Sequence, residues 1–179
     1  MSAVTEVRSY KLRRGRVTAG QAAALRELSV AYGLPAGPGV VDLAAVFGRS
    51  AEVVLEIGFG MGEATALLAE REPSRDVIAV DVHTPGVGAL LGRLAAAGLT
   101  NVRVVEGDAV TLLESRLAPG VLTGVRLFFP DPWPKTRHVK RRLVTSAFCD
   151  LVASRLREGG WLHVVTDSTA YADQVRRAV

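Results

Sequence analysis

Five acidic residues of this chain recur at one kind of position. Glu56, Asp81, Asp108, Asp131 and Asp167 each end, or closely follow, a short apolar run of the kind that forms a buried strand. After the first run come Gly58, Gly60 and Gly62, then a helix-like stretch. Glycines in a strand-to-helix turn permit a tight backbone and let a small ligand approach the main chain. A second pattern lies in residues 128–144, FFPDPWPKTRHVKRRLV. There Asp131 stands between Pro130 and Pro132, Trp133 and Pro134 come next, and then five Lys or Arg with no acid among them. Carboxylates around a crevice suit a ligand with a positive centre, whereas a dense cationic run suits phosphates. The two patterns adjoin, so two ligands of different charge are expected side by side.

The elements that position these residues follow from periodicity. Apolar runs predict strands at 52–57, 76–82, 101–108, 124–130 and 161–167. Helical spacing predicts helices at 62–72, at 86–98, from 109 to about Leu117 and over a long stretch from Thr136 to Leu156, which Gly159 and Gly160 end. Thr18 followed by Gln21 has capping-box spacing ahead of a helix at 19–31, and Gly33 to Gly39 reads as a loop. Another helix begins near Ala170. Strand and helix alternating at these lengths define an α/β fold with a mostly parallel sheet and helices on both faces. Such sheets bind ligands beyond the carboxyl ends of their strands, where strand order reverses. The five acids map to those ends.

The glycine turn alone is common to many nucleotide-binding enzymes. Here Glu63 stands where the dinucleotide fingerprint needs its third glycine, and Glu56 ends the preceding strand. Both acids oppose a pyrophosphate and favour a cofactor with positive charge. S-adenosylmethionine fits: it carries adenosine, an ammonium and a sulfonium, and no phosphate. Asp81, at the second strand end, suits the ribose hydroxyls, and Asp108 suits the adenine edge.

Composition narrows the class further. With 49% hydrophobic residues the 179-residue chain can bury one sizeable core, so a single domain over residues 1–179 is expected. Its one cysteine, Cys149, permits no internal disulfide, which fits a cytoplasmic location, and no apolar run reaches membrane-spanning length. Three scattered histidines and one cysteine do not form a metal site. Charge is segregated. Residues 51–134 hold six basic and eleven acidic groups, whereas 135–142 hold five basic and no acidic ones. Lys11, Arg13, Arg14 and Arg16 form a second basic group in an N-terminal extension of about residues 1–17.

The stretches EIGFGMGE, DVHTPGVG, FFPDPWPKTRHVKRRLV and TDSTAYA resemble the bacterial tRNA (guanine-N7-)-methyltransferase family, in order and in spacing, over about residues 8–179. The proline-flanked Asp131 segment is the specific part of the match; the glycine loop is not. The resemblance implies a Rossmann-like class I methyltransferase fold that uses S-adenosylmethionine to methylate N7 of a guanine in the tRNA variable loop. Matched motif by motif, Glu56, Asp81, Asp108 and Asp131 fall on cofactor positions, and Asp131 also on the position treated as catalytic. Lys135 and Asp167 fall on substrate positions. The family also carries a T-x-x-E segment and further strands beyond the point where Val179 stands. The resemblance therefore implies an open edge at the fifth strand, and cofactor binding that is retained better than turnover.

The residues agree with that chemistry. Guanine N7 has a lone pair and no proton, so no general base is needed to create the nucleophile. A fixed carboxylate at Asp131 suits either the charge arriving on the purine or the guanine N1 and N2 donors. Trp133 reads equally as a stacking platform for a flipped base and as an anchor for its loop. Arg137, Lys140, Arg141 and Val144 follow i, i+3, i+4, i+7 spacing, so a continuous helix places the first three on one phosphate-facing side. A monomer or weak homodimer is expected. Two rival readings stay open at this level: an NAD-dependent oxidoreductase, which the glycine loop and Asp81 permit, and a non-catalytic RNA-binding module that kept the fold.

Overall fold

A computed structural model describes residues 9–10 and 15–179. Lys11, Arg13 and Arg14 lie outside the described residues; Arg16 is exposed. The strands are β1 (Glu52–Ile57), β2 (Arg75–Asp81), β3 (Val102–Glu106), β4 (Leu122–Phe128) and β5 (Leu156–Val165). They form one sheet in the order β3-β2-β1-β4-β5, with every pairing parallel. Strand order therefore reverses between β1 and β4, and a crevice opens beyond their carboxyl ends.

The apolar runs of β1, β2 and β4, at the middle of the sheet, are buried on both faces, as a parallel sheet demands. Leu55 and Ile57 of β1 and Ile78 and Val80 of β2 face one core, which α5 (Ala109–Ser115), α6 (Ser146–Arg155) and α7 (Thr169–Ala178) cover with Leu112, Val152 and Tyr171. Val77, Ala79, Val102 and Val104 face the other, which α1 (Ala19–Tyr32), α3 (Glu63–Arg71) and α4 (Thr84–Ala97) cover with Ala24, Ala69 and Leu90. Thr18 and Gln21 cap α1 reciprocally, as their spacing predicts. A short helix, α2 (Leu43–Phe47), capped by Asp42, forms in a stretch where the sequence predicts no element.

Two boundaries differ from expectation. The predicted helix over Thr136 to Leu156 is two elements: a 3₁₀ helix at Thr136–Arg141, then α6. Long-range partners interrupt it. Val144 is fully buried and its N–H donates to the Tyr171 hydroxyl at 3.1 Å, and the Thr145 side chain caps a fresh helix start. Gly159 and Gly160 do not end a helix. Strand β5 begins at Leu156, and the glycines lie in an irregularity between the Leu122–Leu156 and Gly124–Trp161 pairs, where Gly159 has φ +72°.

Candidate active site

The glycine turn after β1 is held in the left-handed region, with φ of +74° at Gly58, +61° at Gly60 and +78° at Gly62. Its three glycine N–H groups already have acceptors: Gly58 donates to the Val80 carbonyl, Gly60 to Asp81 Oδ2 and Gly62 to the Phe59 carbonyl. Dinucleotide folds use such N–H groups on a pyrophosphate. Here these three donors are consumed, which weakens the oxidoreductase reading. Gly58 and Gly60 line the crevice. Gly62 serves packing instead: a Cβ there would come within 2.7 Å of the Leu90 side chain. Gly86, which the sequence pattern does not single out, allows the first turn of α4 against the loop, since its Cβ would lie 1.9 Å from the Gly60 carbonyl oxygen.

The crevice encloses about 250 Å³, a volume for a small molecule and not for a nucleic-acid strand. Asp81, Asp108 and Asp131 all line it. Asp81 Oδ2 accepts from Gly60 N–H at 2.8 Å and Oδ1 from His83 N–H at 2.9 Å, so this acid sets the loop's shape as well as its charge. Asp108 caps α5 through Oδ1, which accepts from Thr111 N–H at 3.0 Å. Glu56 lies behind the lining, 2% exposed, with Oε1 accepting from the Thr65 hydroxyl at 2.8 Å. Its Oε2 is buried with no hydrogen-bond partner. Arg126 faces it in register across β1 and β4, but its guanidinium turns to Glu72, 2.7 Å away. Burial pushes the Glu56 carboxyl up, and the Thr65 hydrogen bond and the Arg126 charge oppose this only in part. A buried carboxylate oxygen without a partner beside a rim of acids fits a cofactor that brings its own positive charge. Glu63 contributes nothing to that site. It is exposed on α3 and pairs with Arg93 of α4.

The loop after β4 carries Asp131 and is braced from several sides. Phe129 and Trp133 bracket the acid, both in the left-handed region at φ +50° and +42°, where a non-glycine residue costs about 1–3 kcal/mol. Phe129 N–H donates to the Val165 carbonyl of β5 at 2.8 Å. Trp133 is buried, donates Nε1–H to the Ser9 carbonyl at 3.1 Å and has the Arg141 guanidinium 5.1 Å from its ring centroid. Of the two readings open for Trp133, the anchor is the one the structure shows. Arg142, which the sequence marks only as one of the basic run, is buried and donates Nε–H to the Pro132 carbonyl at 2.7 Å.

The cationic residues divide accordingly. Lys135, Arg137 and Lys140 are exposed just beyond the Asp131 loop. With three residues per turn in the 3₁₀ helix, Arg137 and Lys140 stand on one line, but Arg141 turns away over Trp133. The expected shared face of Arg137, Lys140 and Arg141 is thus not formed, because the continuous α-helix it required is not. Asp167 is exposed between Thr166 and Ser168, beyond the β5 end and outside the crevice lining. His163, exposed on β5, meets Phe128 edge to face, with ring centroids 5.5 Å apart. Among the described residues no group of three or more His, Cys, Asp or Glu could hold a metal ion. Sequence reasoning also missed Phe129, Ser9 and Tyr10, which line the crevice. Phe129 fell inside the predicted strand at 124–130, whereas β4 ends at Phe128 and leaves it at the rim; Ser9 and Tyr10 precede the first predicted element.

A parallel 3-2-1-4-5 sheet with an acid-rimmed crevice beyond a glycine turn is the arrangement of one class: a Rossmann-like S-adenosylmethionine-dependent methyltransferase. The profile of the family described as "putative methyltransferase" matches residues 50–179. The chain is 51% identical to the tRNA (guanine-N(7)-)-methyltransferase of Nitrosospira multiformis, over 94% of this chain and 74% of that one. It is 54% identical to that of Thiobacillus denitrificans, with the same coverage. Among solved structures, TrmN from Thermus thermophilus aligns with a TM-score of 0.57 at 19% identity, over 89% of this chain and 40% of that one. An antibiotic-related methyltransferase aligns at 0.54 and 16% identity, over 76% and 72%. Those two likenesses concern the fold alone. The chain belongs to the tRNA (guanine-N(7)-)-methyltransferase family.

Proposed function

We propose that this chain methylates N7 of a guanine in the variable loop of tRNA. Asp81, Asp108 and the glycine turn would hold S-adenosylmethionine in the crevice, with Glu56 opposite its positive charge. When bound, that cofactor supplies a methyl carbon on a sulfonium, a leaving group that departs as a neutral thioether. Guanine N7 brings its own lone pair and keeps no proton, so the chain's task is positioning and charge stabilisation, not proton abstraction. The new N–C bond leaves the purine cationic. Asp131, fixed in the crevice wall by the braced loop, supplies the carboxylate that this charge meets. Lys135, Arg137 and Lys140 lie alongside for the phosphates. Asp167 joins the substrate side from the end of β5.

The observation that carries this reading is an acid-lined crevice whose braced Asp131 loop leads directly into exposed cations. A tRNA substrate agrees with a cytoplasmic location, and no helix among the described residues is long and apolar enough to cross a membrane. A monomer or a weak homodimer is the expected state. Incubating the full chain with unmodified tRNA and labelled cofactor, then digesting to nucleosides, tests the reaction. Label in 7-methylguanosine is expected; label in another nucleoside, or none, refutes it.

A further inference from the structure

We propose that Phe129 is the surface on which the acceptor purine stacks while N7 is alkylated. The inference rests on the reaction proposed above. Phe129 is the large aromatic residue that the Asp131 loop leaves in the open: it is 65% exposed and lines the crevice two residues before the acid. Tyr10 also lines the crevice but lies outside this loop; the other two aromatics beside Asp131 are committed elsewhere. Trp133 is buried with Arg141 over its ring and His138 at its edge, and Phe128 packs edge to face with His163. An exposed phenyl ring on a left-handed backbone is disfavoured twice, by solvent and by torsion, and the structure maintains both. The hydrogen bond from Phe129 N–H to Val165 holds the residue.

A ring held open at the rim, with a carboxylate two residues on, offers a flat base two complementary groups: a face to lie on and an acceptor for its edge. The aromatic face also discriminates in the direction of the reaction. Alkylation at N7 makes the purine a cation, and a π face attracts a cation more than the neutral ring that preceded it. Phe129 therefore acts on turnover as well as on substrate affinity.

The test compares Phe129→Ala, Phe129→Leu and Phe129→Trp in the full chain. Steady-state kinetics with tRNA, calorimetric cofactor affinity and melting temperature are measured for each. Phe129→Ala should lower kcat/KM for tRNA roughly 5- to 150-fold, the range one stacked base supports, with kcat itself reduced. Cofactor affinity and melting temperature should stay at wild-type values. Phe129→Trp should restore most of the rate, and Phe129→Leu, apolar but without a π face, should not. Wild-type rates in Phe129→Ala, equal rescue by Leu and Trp, or a parallel loss of cofactor affinity would each overturn the assignment of Phe129 while the reaction stands. A wild-type chain that leaves guanine N7 unmethylated overturns the reaction, and the Phe129 assignment with it.

Discussion

Arg142 donates to the main-chain carbonyl of Pro132 at 2.7 Å, joining the end of the basic run to the loop that holds Asp131. The same guanidinium reaches the Ala170 carbonyl at 3.3 Å and Gln174 Oε1 at 2.8 Å on α7, and lies over the Tyr171 ring. One buried cation thus couples the loop to the last helix. Arg142→Met is expected to cost about 2–4 kcal/mol of stability, because the loop and α7 lose a shared donor, itself buried, at three acceptors together. Arg142→Lys should recover little, since a point charge cannot reproduce the fork. Chemical denaturation measures the loss. Methyl transfer, assayed where the variant is still folded, should fall as well because the loop loses its brace.

Asp131 is where the proposed reaction is most exposed to test. Asp131→Asn keeps the shape of the side chain and removes its charge. A drop in kcat of about 10²- to 10³-fold is expected, the scale for removing one preorganised electrostatic group. Circular dichroism should show the fold retained. A variant that turns over at the wild-type rate would place the stabilising charge elsewhere.

Glu56 predicts a conflict between stability and binding. Its carboxyl, at 4.5 when unperturbed, is raised in the folded protein by burial. The folded state then binds more protons than the unfolded state in the window between those two values. Stability from this group is fully present below 4.5 and is lost as pH rises through the raised folded value. Glu56→Gln should abolish this trend and melt higher than wild type at neutral pH. It should also bind S-adenosylmethionine more weakly, because the negative charge behind the crevice wall is lost. Melting curves across that window, paired with calorimetric titration, decide both parts, and a less stable Gln variant at neutral pH refutes the first.

The split among the cations has its own signature. Arg137 and Lys140 are exposed, so replacing both with Ala should lower the slope of log affinity for tRNA against log salt by about 1.4–1.8. Arg141, half-buried over Trp133, should change that slope much less and lower turnover instead. Filter binding at several salt concentrations separates the two effects. Equal slope changes for all three residues would mean that they meet phosphates together.

What the sequence by itself determined is local in origin. Apolar runs and helical spacing are properties of neighbouring residues, so β1 was legible to the residue and β2, β3 and β4 to within two at either end. A parallel sheet then assigns its ligand to the carboxyl ends, and Glu56, Asp81, Asp108 and Asp131 could be placed there without coordinates. The tertiary structure alone decided which polar groups were already engaged. The break at Val144 depends on the Tyr171 hydroxyl, 27 residues away in the chain, and periodicity carries no trace of it. Gly60 N–H is taken by Asp81, Trp133 by Ser9 and Arg141, and Arg142 by Pro132, each across a distance the local pattern does not register. A residue's type states what it can bind. Only packing settles which of those capacities are consumed inside the protein and which are not, as with the exposed Phe129 ring and the buried, unpartnered Glu56 Oε2 atom.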